Sequence, residues 1–146
     1  MNKILDRLSF KKYAMVLAYA SKLRSPDPWR QVGSVALNYE NRVIGTAYNG
    51  LMPGFDEPED FWRDRDARQK YIIHSETNLL SLFSRGEAKI VACTTLPCTS
   101  CMQNLCAHNI KEVYYDEDYP LSEAKKIAEM YGIVLEQITD YPKIEL

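Results

Sequence analysis

Two short stretches, far apart in the chain, carry side chains that any fold of this sequence must bring together: His74-Ser75-Glu76 and Pro97-Cys98-Thr99-Ser100-Cys101. A catalytic zinc ion takes three protein ligands and keeps a fourth position for water. His74, Cys98 and Cys101 are candidates for the three, and Glu76 stands close to His74, able to carry protons without ligating. Both stretches run into helix-forming sequence, so the fold has to aim two helix N-termini at one point. The free N–H groups there stabilise thiolates and lower their pKa. Across a first helical turn, Cys98 and Cys101 reach one ion from the same side. Pro97 removes an N–H that would be idle and stiffens the entry.

Either stretch alone is a weak signal. A C-x-x-C pair serves as well for redox chemistry or half of a structural zinc site, and H-x-E by itself carries little. Together they match H-x-E followed by P-C-x-x-C, the pattern in which a zinc-activated water attacks a nucleobase and the glutamate is general acid and base. Two thiolates and a neutral imidazole offset the charge of the ion and weaken its pull on water. A basic carboxylate at Glu76 compensates, and serving as both base and acid demands a pKa near the working pH. Redox chemistry would need neither His74 nor Glu76. His108, the other histidine, falls about 10 Å further along the Cys101 helix at 1.5 Å per residue. It reads as a helix-end residue interacting with the dipole.

Around these motifs the chain alternates. Ser9 caps a helix running to about Leu23, with Phe10, Tyr13, Ala14, Leu17, Ala18 and Ser21 on one face and Tyr13 and Tyr19 as packing or rim residues. Pro26 and Pro28 end it. Residues 32–37 and 42–48 form an antiparallel hairpin around a polar turn at 38–41, and Gly45 marks a bulge or a close backbone approach. Residues 49–70 have no clear period and a dense mixture of charges. A segment this long is functional or disordered, and part of it, 58–69, suits a charged helix. A solvated face and a lid or phosphate contact are both open to it. Then follow a helix over 75–83 closed by Arg85-Gly86, a strand over 89–96, a helix over 100–108, a strand over 112–115, a helix over 122–131 with Gly132 at its end, and a strand over 133–138. Strands alternating with helices imply a parallel half-sheet, to which the hairpin adds an antiparallel edge. The expectation is α/β: a mixed five-stranded sheet with helices on both faces, three layers in all.

Composition narrows the partners. The 146 residues suit one domain, 1–146, with a sizeable core. No apolar run is long enough to span a bilayer, and residues 1–7 lack the plan of a secretion signal, so the expected location is cytoplasmic. Four cysteines, two of them in the zinc motif, make no disulfide framework; Cys93 and Cys106 read as small buried or half-buried residues. With 18 basic against 20 acidic residues the net charge is −2, which favours a free nucleotide over a nucleic acid.

The sequence resembles the deoxycytidylate (dCMP) deaminases of the cytidine deaminase-like superfamily, over roughly Phe10 to Ile138. The likeness is carried by Arg24-Ser25, Asp27-Pro28, Val32-Gly33, Ala47-Tyr48-Asn49-Gly50, Lys70-Tyr71 ahead of His74, Asn78, the Pro97–Cys101 motif, Ile110-Lys111-Glu112-Val113 and Tyr119. It implies zinc on His74, Cys98 and Cys101, one ion per chain, because the residues for a second, structural zinc are absent. It also implies proton transfer by Glu76, a sugar contact from Asn49, a base contact from the backbone N–H of Ser75, and Tyr119 lining the nucleotide pocket. The implied reaction is hydrolysis of dCMP to dUMP and ammonia, which supplies the precursor of dTMP. Hexameric assembly and regulation by dCTP and dTTP, with Mg2+ accompanying the regulatory nucleotide, are family properties. The usual H-A-E is His-Ser-Glu here, placing a hydroxyl beside the metal, and Ala47 replaces the first glycine of G-Y-N-G, a motif used in regulation. Alternatives are dCTP, free cytidine or tRNA adenosine as substrate, or a zinc-stabilised binding module without activity. Arg24, Arg30 and the Arg63–Arg68 cluster are candidates for the 5′-phosphate that the sequence does not rank.

Overall fold

The computed structural model describes residues 6–146, so most of the expectation for residues 1–7 lies outside the described residues. The element order is α1 (Phe10–Lys22), β1 (Gly33–Asn38), β2 (Val43–Tyr48), a 3-10 turn (Phe61–Arg63), α2 (Arg65–Arg68), α3 (Ser75–Leu80), β3 (Ala88–Thr95), α4 (Thr99–Ala107), β4 (Glu112–Glu117), α5 (Ala124–Tyr131) and β5 (Val134–Gln137). The strands form one sheet in the order β2-β1-β3-β4-β5. β1 is antiparallel to both β2 and β3, whereas β3, β4 and β5 run parallel. The mixed five-stranded, three-layer architecture expected from the alternation is the one observed.

Each face of the sheet carries its own core. On one side Ala14, Met15 and Ala18 of α1 pack on Val35, Leu37, Ile90, Ala92 and Tyr114. On the other, Leu79 of α3, Met102 and Leu105 of α4, and Ala124, Ile127 and Ala128 of α5 cover Ala36, Val91, Cys93 and Val113. β3 lies in the middle and is buried on both faces, as its continuous apolar run requires. Each large side chain sealed here contributes about 1.5–3 kcal/mol relative to exposure.

Ser9 caps α1, its hydroxyl accepting from the N–H of Lys12 at 3.3 Å. The buried face of that helix differs from the expected one. Phe10 and Tyr13 are 53% and 40% exposed, whereas Met15 is sealed, because the helix lies across the small side chains of Ala14 and Ala18. At Gly45 the expected bulge is observed, and the close neighbours there are side chains, not backbone. The β1–β2 register slips between Ala36 and Leu37, opposite it, and a Cβ at Gly45 would sit 3.1 Å from Leu82. Residues 58–69 form no continuous helix. Asp64 is extended and accepts from the N–H of Ala67 at 2.9 Å, starting a new turn, and Arg68 is drawn inward to Asp27. The α3 helix ends at Leu80 and α5 begins at Ala124, both shorter than the apolar pattern implied. Gly132, at φ 68°, closes α5.

Candidate active site

The parallel strand β3 delivers the second motif directly. Its last residue, Thr95, leads through Leu96 and Pro97 to Cys98, the N-cap of α4. The first motif arrives from the opposite side of the chain: His74 is the N-cap of α3, which packs on β2. The two helix N-termini therefore converge. The His74 Nδ1 lies 3.2 Å from the Cys101 Sγ and 3.5 Å from the Cys98 Sγ, and the three candidate ligand atoms lie within 4.8 Å of one another. Tetrahedral zinc with Zn–S near 2.3 Å and Zn–N near 2.0–2.1 Å asks for N···S separations of about 3.5 Å. The donor set and its spacing fit that ion.

The His74 ring and the two thiols interact directly. Cys98 accepts from the Cys101 thiol, from His74 and from the backbone N–H of Cys101, which pulls its pKa down to about 3. Cys101, as the donor of that shared bond, is pushed up, with burial adding to the effect. The same contact with Cys98 raises His74. A lowered thiol at Cys98 favours metal binding, which requires the thiolate.

Glu76 is 4% exposed, in the first turn of α3, and burial raises its carboxyl above the ordinary range, opposed by a hydrogen bond from Cys101 and by the charge of His74. Cys93 of β3 lies against it: burial first, then the Glu76 carboxylate, raises that thiol. Cys93, expected as core filler, is in the core and also touches the candidate proton carrier.

His74, Glu76 and Cys98 line a cavity of about 260 Å³, together with Arg30, Asn49, Arg68, Ser75 and Tyr119. All three residues expected to touch a substrate are thus brought to it. Asn49 is already committed to the protein: its Oδ1 accepts from the N–H of Val32 at 2.9 Å, and its Nδ2 donates to the carbonyl of Arg30 at 2.9 Å. The Ser75 hydroxyl, in the residue next to His74, is committed to hydrogen bonds with the sheet. It is 2.6 Å from the Ser34 hydroxyl and 3.2 Å from the Ala47 carbonyl, tying the start of α3 to β1 and β2. His108 ends α4, its Nε2 bonded to the Phe83 carbonyl at 3.1 Å, away from the cluster. The sequence assigned no site role to Asp27, Ser34 or Cys93, because each acquires its role from a partner distant in the chain.

A three-layer α-β-α sheet with His, Cys, Cys and a buried Glu at two converging helix starts defines the zinc-dependent nucleobase deaminase class. Residues 8–117 match the family described as the cytidine and deoxycytidylate deaminase zinc-binding region, and the chain belongs to that family. Mouse deoxycytidylate deaminase is 30% identical, across 95% of this chain and 85% of that protein. The fold is shared with the dCMP deaminase of cyanophage S-TIM5, at a TM-score of 0.73 and 19% identity, covering 94% of this chain and 100% of that one. The same phage enzyme in complex with dCMP and dUMP superposes at a TM-score of 0.67, with 20% identity over 94% of this chain and 99% of that one. Among the described residues, no helix is long and apolar enough to cross a membrane.

Proposed function

We propose that this chain hydrolyses dCMP to dUMP and ammonia, with zinc held by His74, Cys98 and Cys101 and protons carried by Glu76. The observation that carries the reading is the convergence of three ligand atoms within 4.8 Å beside a buried carboxylate on the wall of one cavity. Family membership and the dCMP- and dUMP-bound relative of the same fold support the choice of substrate. Zinc held by His74, Cys98 and Cys101 would supply a Lewis acid that makes a water acidic enough to attack at neutral pH.

The residues of the chain do the rest. Glu76 takes a proton from the attacking water, and its raised pKa lets it hold that proton until the ring nitrogen accepts it. A second transfer through the same carboxylate protonates the exocyclic amine, and ammonia leaves. The backbone N–H of Ser75, the first residue of α3, is one of the unpaired donors of a helix start and serves the base carbonyl. The Ser34–Ser75 contact fixes where that N–H points. Asn49 frames the sugar from the cavity wall, and Tyr119 stands at the cavity on the side of Arg30.

The reading treats 1–146 as one zinc-dependent deaminase domain with one ion per chain. A cytoplasmic location, hexameric assembly, and regulation by dCTP and dTTP with Mg2+ extend it on family likeness alone. The test is deamination followed by ultraviolet absorbance on zinc-loaded protein, with dCMP, dCTP, CMP and deoxycytidine in parallel. Turnover of dCMP is expected. Glu76→Gln is expected to lose roughly 10²- to 10⁴-fold in kcat while retaining its zinc by metal analysis. Protein that binds one zinc per chain and deaminates no cytosine nucleotide would refute the substrate assignment. Wild-type rates in the Glu76→Gln variant would refute the role of Glu76.

A further inference from the structure

The three candidate metal ligands are held by different means. Cys101 is sealed in the body of α4, and His74 caps α3, whose first residue is tied to the sheet through Ser34. Cys98 is half-buried in the extended link between β3 and α4, at φ −65° and ψ 169°. Residues from another part of the chain fix its place. The Ser122 hydroxyl donates to the carbonyl of Pro97 at 2.6 Å, and the Thr99 hydroxyl accepts from the N–H of Glu123 at 3.0 Å. Both neighbours of Cys98 in the chain are thus bound by the segment that leads from β4 into α5.

A serine hydroxyl has one proton to give and lone pairs that accept. Ser122 gives its proton to Pro97 and accepts from the N–H of Ala124 at 3.0 Å, so its rotation is fixed at both ends. Thr99, the first residue of α4, serves an N–H that a helix start leaves open, here that of α5. Each helix start is joined to the other through a side chain. A turn sets the position of this clamp: the N–H of Ser122 donates to the carbonyl of Tyr119 at 2.9 Å, and Pro120, next after Tyr119, has its φ locked by its ring. On the other side, the N–H of Leu96 donates to the carbonyl of Glu117 at 2.8 Å, which continues the β3–β4 ladder almost to Cys98.

We propose that Ser122 and Thr99 are positioning residues for the metal, holding Cys98 where its sulfur can share an ion with His74 and Cys101. This rests on the zinc-site reading and deepens it, assigning the retention of metal to a segment that contributes no ligand. Groups that orient a ligand without touching the metal are worth about 10- to 100-fold in affinity. Loss of the Ser122 hydroxyl leaves the buried Pro97 carbonyl without this donor, and loss of the Thr99 hydroxyl releases Glu123. Either change lets the extended link swing, and Cys98 with it.

The experiment measures zinc affinity of the full chain by competition with a chromogenic chelator, together with the absorption spectrum of the cobalt(II)-loaded protein. It compares wild type, Ser122→Ala, Thr99→Val, Thr99→Ser and Tyr141→Phe. Ser122→Ala and Thr99→Val are each expected to weaken zinc binding about 10- to 100-fold and to change the cobalt spectrum, because a displaced thiolate alters the ligand field. Thr99→Ser keeps the acceptor and should hold zinc as wild type does. Tyr141→Phe removes a buried hydroxyl from the core on the opposite face of the sheet, which controls for a general loss of stability, and should leave zinc affinity in place. Should Ser122→Ala not fold, Thr99→Val, at a half-buried position, carries the test. Wild-type affinity with an unchanged cobalt spectrum in Thr99→Val or in folded Ser122→Ala would overturn the proposal and leave the zinc site intact. An equal loss in Tyr141→Phe would overturn it too. Wild-type protein that binds no zinc would overturn both the proposal and the zinc-site reading.

Discussion

The Asp27–Arg68 pair holds together the two segments that wall the cavity, and its energetic weight can be worked from its contacts. The Asp27 Oδ1 accepts from the N–H groups of Trp29 and Arg30, and its Oδ2 accepts from Arg68 and, at 3.5 Å, from the Asn49 Nδ2. Replacing Asp27 with Asn keeps an oxygen for the two backbone donors, removes the charge and turns an NH2 donor toward Arg68 where an acceptor stood. Arg68 is then left buried with no counter-charge, and its Nε already lacks a partner. Breaking one side of a buried pair costs about 3–5 kcal/mol. For a domain of this size that corresponds to a fall in Tm of roughly 6–20 °C. Arg68→Met should cost less, because the Asp27 carboxylate retains three hydrogen bonds. The double variant, Asp27→Asn with Arg68→Met, should cost well below the sum of the two singles, since no charge is stranded. Urea unfolding of the four proteins, stripped of metal so that zinc linkage does not intervene, supplies the cycle. A cost below about 1 kcal/mol for Asp27→Asn, the size typical of an exposed pair, would refute the reasoning. So would simple additivity.

Two further predictions concern the frame around the site. A Cβ at Gly33 would lie 2.0 Å from the Ala18 carbonyl oxygen and 2.5 Å from the Lys22 nitrogen, both backbone atoms of α1, so Gly33→Ala has to push the helix off the sheet. A loss of about 3 kcal/mol or more is expected by thermal or urea unfolding, and a loss under about 1 kcal/mol would contradict the close α1–β1 contact. Tyr141 donates to the Asp116 Oδ2 at 2.6 Å, and burial, reinforced by that bond, raises its pKa above the ordinary tyrosine range. The unfolded chain releases this proton near pH 10 while the folded one keeps it, so the contribution is complete below pH 10 and lost as pH rises above it. Tyr141→Phe should therefore flatten the alkaline decline of unfolding free energy by up to about 1.4 kcal/mol per pH unit. Identical slopes in the two proteins between pH 9.5 and 11 would contradict it.

Much of this protein was legible residue by residue. The alternation of apolar runs and caps determined the five strands and the principal helices, because local periodicity is what distinguishes a strand from a helix. The candidate site was legible too: the candidate ligands His74, Cys98 and Cys101 and the candidate proton carrier Glu76 are spaced for helix starts, and their chemistry has few other uses in that combination. Local pattern was no guide to pairings across the chain. It did not reveal that Met15, and not Tyr13, would seal against the sheet, nor that Ser75 would turn its hydroxyl to Ser34. The three candidate sources of a phosphate contact were indistinguishable in sequence, since each is an arginine in a polar loop. In the folded chain Arg68 is paired with Asp27, whereas Arg30 lies over Tyr119 with no counter-charge among the described residues. A spacing of motif residues is written in one dimension, whereas whether a charge is neutralised depends on what lies within a few ångströms of it, and only the folded chain decides that.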